Sequence, residues 1–122
     1  MKTTYNPIDN FGLNLDRIVD HVDEIHKVPK GSLDPGDYVF VKTVNSMYSI
    51  CKRDNDLFEV RGGWFDRKGL SPAILSITGC TWGGSIINLG IIAARGLFIE
   101  FSNKLITSPL RKIVVIRARQ LN

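Results

Sequence analysis

Trp64 and Phe65 stand side by side in RGGWFDRKG, residues 61–69, among the glycines of that segment and three bases, Arg61, Arg67 and Lys68. Flat rings beside cationic side chains are what a base-stacking platform needs, since every base offers a π-face and every nucleotide a phosphate. The same glycine-flanked loop can instead dock in a partner's groove or fold Trp64 back onto the core. Tyr48 in TVNSMYS, residues 43–49, offers a second platform beside Lys42, Lys52 and Arg53, or a half-buried edge tyrosine. In ITSPLRK, residues 106–112, the hydroxyls of Thr107 and Ser108 with Arg111 and Lys112 can hold a phosphate or form a solvated corner after Pro109. Arg117 and Arg119 share one face of KIVVIRAR by the strand period, so that face is wet or paired with anions.

Other chemistries find less support. GCTWGGSIINLG, residues 79–90, has neither the GxxxxGK[ST] order nor GxGxxG ahead of a helix, which argues against a phosphate cradle. Glycines inside strands allow bends and close backbone approach, so this stretch reads as a corner packed around Trp82, with a ligand-approach site as the other reading. His21 and His26 are spaced wrongly to share a metal from one helix face, and Cys51 and Cys80 match no zinc pattern. The two cysteines are expected as buried free thiols. No GxSxG context surrounds a serine, and Asp16, Asp20, Asp23 and Glu24 look like a solvated helix face. The expectation is a protein that is not an enzyme, with no catalytic residue, cofactor or metal assigned.

The elements that must position these residues follow from periodicity. Residues 1–13 carry Pro7 and Gly12 without a repeat and read as an arm, pinned by Tyr5, Ile8 and Phe11. Leu15, Ile18, Val19, Val22 and Ile25 then recur at helical spacing, opposite the acids, with Asn14 as N-cap; this predicts an amphipathic helix over 14–28, ended by Pro29 and Gly31. SLDPGD, residues 32–37, is a turn. From there to residue 120 alternating segments (YVFVKTV, MYSICKR, LFEVRGG, AILSITGC, GLFIEFS, KLITSP, KIVVIRAR) predict about seven or eight short antiparallel strands. The expected fold class is mainly β: a small barrel or curled sandwich over 36–120 with one N-terminal helix, forming a single domain from 14 to 122.

Size and charge bound the function. The chain has 122 residues, suited to one core, and a hydrophobic fraction of 43% that argues against disorder. The longest low-charge run, Leu70 to Ala94, is broken by glycines and hydroxyls and does not read as a membrane span, and the first residues lack a secretory signal's apolar core, so a cytoplasmic location is expected. The net charge of +4 is uneven: Asn14–Lys27 carries four acids against two bases, whereas from Arg95 onward six bases face Glu100 alone. Opposite ends of this kind attract one another within or between copies, or draw an anionic partner.

VNSMYS, the GG at 62–63, GCTWGGSIINLGIIAARGLFIEF and TSPLRKIVV together resemble the pattern NSxY, GG, GSTxGGS, EF and TSPV of a family of short bacterial β-domain proteins with no assigned activity. The resemblance spans about residues 36 to 116, with Cys80 in place of a serine and Leu110 in place of a valine. It implies one recurring β-domain and leaves the function open. The function expected from the residues is a binding or assembly module with a protein partner or a homo-oligomer; the alternative is a single-stranded RNA or DNA binder. Candidate contact residues are Tyr48, Lys52, Arg53, Arg61, Trp64, Phe65, Arg67, Lys68, Arg111, Arg117 and Arg119.

Overall fold

A computed structural model of the chain describes residues 25–83 and 86–118. The predicted arm, residues 14–24 of the predicted helix, and Arg119 lie outside the described residues.

Strands β2 (Tyr38–Thr43), β3 (Met47–Lys52) and β4 (Phe58–Gly62) form the expected meander. β5 (Ala73–Leu75) joins beside β4 and β10 (Leu110–Ile116) beside β2, giving an antiparallel sheet in the order β10-β2-β3-β4-β5. A second antiparallel sheet runs β7-β6-β9, from β6 (Ile77–Gly83), β7 (Ile86–Asn88) and β9 (Phe98–Phe101). β1 (Lys27–Pro29) pairs antiparallel with β8 (Ile91–Ala94). Ile25 donates its backbone N–H to the Ile113 carbonyl at 3.0 Å, so the chain reaches β1 from beside β10.

Period-two alternation sorts the five-stranded sheet into two faces. Val39, Val41, Ile50 and Val60 point inward and meet Ile77, Cys80, Ile99 and Phe101 of the three-stranded sheet and Val28, Ile92 and Ala93 of the β1–β8 pair in one apolar cluster. The intervening positions form the outer face, where Phe40 and Val114 make a second cluster with Tyr38, Met47 and Ile116.

Four expectations change. The helix does not continue through residue 28: Lys27–Pro29 is a strand followed by a 3-10 turn at Lys30–Ser32. The physical cause is the partner, because β8 supplies a ladder and Val28 turns into the core between an outward Lys27 and Pro29. None of the three sheets closes into a barrel, and there are ten strands among the described residues. AILSITGC, read as one strand, breaks at Ser76: β5 stays with the first sheet and β6 begins the second. KLITSP, read as a strand, contributes only an isolated bridge between Ile106 and Glu100.

Candidate functional site

The loop at 61–69 is helical at its centre. Gly62 and Gly63 bring the chain against β3 so closely that a Cβ on Gly62 would strike the Met47 carbonyl and one on Gly63 the Tyr48 ring. The short helix α1 (Gly63–Arg67) follows, with Asp66 accepting from the Gly62 N–H at 3.0 Å and from the Ser71 hydroxyl. This turn drives Phe65 inward. Phe65 is 1% exposed and Tyr48 3%, and Phe65 packs edge-on against Tyr48, Trp64 and Phe101 with centroids 5.3–6.2 Å apart. The Tyr48 hydroxyl accepts from the Trp64 N–H at 3.3 Å, and Trp64 is half-buried against the core. Neither Tyr48 nor Phe65 offers a ring face to a base; both hold the sheets together.

The basic candidates divide between opposite ends of the five-stranded sheet. Lys52, Arg53 and Arg117 lie at one end. Lys52 donates to the Arg53 carbonyl at 2.6 Å and sits over the Phe58 ring, and Arg53 pairs with Glu59 at 2.9 Å. Glu59 also takes Arg61 at 2.9 Å. Arg117 reaches buried Asp37 at 2.9 Å and the Ser32 carbonyl at 2.7 Å. Burial pushes the Asp37 pKa up, but the N–H groups of Ala118 and Asp34 and the Arg117 guanidinium outweigh it, and the carboxyl ends below the ordinary aspartate range. At the other end, Arg67 donates to Ser46 at 3.2 Å, with exposed Lys68 as the C-cap of the same short helix, while exposed Arg111 lies in the β10 bulge beside Thr43 and Lys42.

That end joins the NSMY and TSP segments. Ser108 donates to the Thr43 hydroxyl at 2.8 Å, Thr43 accepts from the Ser46 N–H at 2.8 Å, and the Asn45 N–H reaches Ser108 at 3.2 Å. Thr107 accepts from the Ile99 N–H at 3.1 Å. These hydroxyls fasten the turn to the neighbouring β9–β10 connection. An open pocket of about 270 Å³ lies over the turn, lined by Lys42 to Met47.

The segment that remains is GCTWGGSIINLG, and the structure corrects the role given to its tryptophan. Gly79 does serve close approach, but its neighbour is backbone: a Cβ there would strike the Asn88 carbonyl on β7. Trp82 points away from the core. It is 58% exposed, Ile86 64% and Leu89 60%, all within the hairpin β6–β7 and the turn after it. Thr81 closes this hairpin, donating to the Ile86 carbonyl at 2.5 Å and accepting from the Gly83 N–H at 2.9 Å. Among the described residues β7 pairs with β6 alone, and β7 itself contains no charged residue or proline to guard it. Ile86 and Leu89 escaped the sequence reading because isolated apolar residues default to the core; the missed signal was the uncharged run around them.

Both cysteines are free, Cys80 in the core and Cys51 partly buried on the outer face. Burial pushes the Cys80 thiol up to about 12 and raises Cys51 as well. Among the described residues no group of three His, Cys, Asp or Glu could hold a metal, and no helix is long and apolar enough to cross a membrane. No protein-family model, curated protein or solved structure matches the chain.

Proposed function

We propose that the chain is a non-catalytic binding module that assembles with protein, in the first place with copies of itself, through the β6–β7 hairpin. The observation that carries this reading is the exposure of Trp82, Ile86 and Leu89 on a hairpin whose outer strand pairs, among the described residues, with β6 alone. A solvated row of large apolar side chains gains free energy when covered, and an unguarded edge strand can extend its ladder into another chain. Charge favours a second copy as that chain. Each molecule carries +4, yet Leu70 to Ala94 has no charged residue, so two such edges meet without opposing like charges. Antiparallel pairing of β7 with its counterpart is self-complementary and sets Ile87 opposite Ile87. A reducing, cytoplasmic setting goes with this reading, with Cys51 and Cys80 as thiols.

The alternative, single-stranded nucleic-acid binding, draws on exposed Arg67, Lys68 and Arg111. It lacks a platform there, since Tyr48 and Phe65 are buried. Sedimentation velocity over a range of concentrations tests the choice. The mass of the native chain is expected to rise with concentration, and Ile86→Lys, which guards the edge, to hold it at a single chain. A native chain that stays monomeric throughout, or one that binds single-stranded RNA tightly at low salt with a steep loss as salt rises, overturns the assembly reading.

A further inference from the structure

The β2–β3 turn makes a fixed floor beneath an open pocket. Every backbone N–H from Thr43 to Ser46 is committed: Thr43 donates to the Ser46 carbonyl at 2.8 Å, Val44 to the Pro109 carbonyl at 3.0 Å, and Asn45 and Ser46 to the Thr43 hydroxyl at 3.2 and 2.8 Å. Thr43 is itself buried, and Ser108 donates to it from the β9–β10 connection. The pocket of about 270 Å³ over this floor therefore meets a ligand with side chains. Lys42, Asn45 and Ser46 are its polar lining, Val44 and Met47 its apolar lining, and no acid is among them.

The cations around this pocket differ from those elsewhere on the sheet. Arg53 and Arg61 share Glu59, and Arg117 holds Asp37. Here Arg67 donates to the Ser46 hydroxyl, Lys68 is the C-cap of α1, and Arg111 lies in the β10 bulge opposite Thr43 and Lys42, all three exposed. Among the described residues no carboxylate pairs with Arg67, Lys68 or Arg111.

We propose that this pocket binds the phosphate group of a small ligand, free or as a monoester. The bond to Ser46 brings the Arg67 guanidinium to the pocket wall and leaves it further N–H donors in the planar fork that matches an oxyanion. The Ser46 hydroxyl and the exposed Asn45 carboxamide add neutral donors beside it. A dianion relieves the repulsion among cations that have no carboxylate of their own. The volume lies near the lower bound of small-molecule sites, about 300 Å³, so the ligand is a phosphate with at most a short organic group. Such a group rests on Val44, which is half exposed. Tyr48 and Phe65 are buried, so neither stacks a base beside the phosphate.

An amide NMR titration of the native chain with sodium phosphate tests this, with sodium chloride at matched ionic strength as control. Phosphate is expected to give saturable shifts centred on residues 43–47 and 67–68, and chloride none. Arg67→Gln should raise the half-saturating concentration about tenfold or more, and Asn45→Ala about threefold, because a charged hydrogen-bond donor contributes more than a neutral one. Arg53→Gln, at the opposite end of the sheet, should leave it unchanged. Phenyl phosphate separates the two sources: tighter binding than inorganic phosphate marks an ester resting on Val44, and equal or weaker binding marks the free ion. Shifts that never saturate, that chloride reproduces, or that survive Arg67→Gln unchanged overturn the proposal. So does a single-stranded RNA that moves the same amides at a far lower concentration of phosphate groups, since the contact then belongs to a strand-binding surface. The titration should read the same in Ile86→Lys, so this site and the assembly reading stand or fall separately.

Discussion

Each tryptophan of this chain stands in a glycine-containing segment, and the two segments end in opposite places. RGGWFDRKG carries three bases, an acid and two adjacent aromatics, and it folds inward: Gly62 and Gly63 close on β3 and Phe65 enters the core. GCTWGGSIINLG carries no charge at all, and it is this segment that turns Trp82, Ile86 and Leu89 to solvent. Composition alone ranks them the other way. Exposure is decided by geometry instead. The glycines at 62 and 63 bring a helical turn against Tyr48, whereas Gly79 brings two strand backbones together and leaves the hairpin projecting beyond the core.

The sharpest way to break this comparison is to truncate one aromatic in each segment. Phe65→Ala should cost about 3–5 kcal/mol by denaturant unfolding, the range for a buried ring that leaves a cavity. Trp82→Ala should move the same midpoint by about 0.5 kcal/mol or less, as a surface change does. Equal losses would mean that the two segments are packed alike. A smaller loss, about 1–3 kcal/mol, is expected for Gly79→Ala, whose methyl must displace the Asn88 carbonyl. Concentration-dependent assembly should weaken with it, because β7 is then held less well.

The basic residues extend the contrast between committed and available groups. Asp37 holds Arg117 and the Ala118 N–H, and its pKa is lowered in the fold. An acid with a depressed folded pKa adds stability that is present above the unfolded value of about 3.9 and is lost as pH falls through the folded one. Unfolding followed down the acid limb should therefore show a slope that Asp37→Asn reduces, while Arg111→Ala leaves it alone. The smallest effect concerns the thiols: at pH 8 Cys51 should react before Cys80, whose pKa of about 12 and full burial keep it silent until global unfolding.

Much of the sheet was legible because turn signals bound short runs rich in β-branched and aromatic residues. YVFVKTV, MYSICKR and LFEVRGG became β2, β3 and β4, and KIVVIRAR became β10. Long-range partners were not legible. Val28 fits both a helical stripe and a strand, and only β8 decides between them. Nothing local marks Ser76 as the point where the chain changes sheets, or says that Arg117 has a buried carboxylate within reach. The site was missed for the same reason. Whether Trp82 lies over a core or beyond one depends on where the second sheet ends, which no local pattern encodes.

The most direct test uses the two tryptophans as separate reporters. In Trp64→Phe, which leaves Trp82 as the single tryptophan, emission should begin at the red position of a solvated indole and move to the blue as protein concentration rises and the hairpin is covered. In Trp82→Phe, the emission of half-buried Trp64 should stay constant. Trp82 emission that remains red at every concentration, while Trp64 is quenched by single-stranded RNA, would contradict the account and return the function to the 61–69 segment.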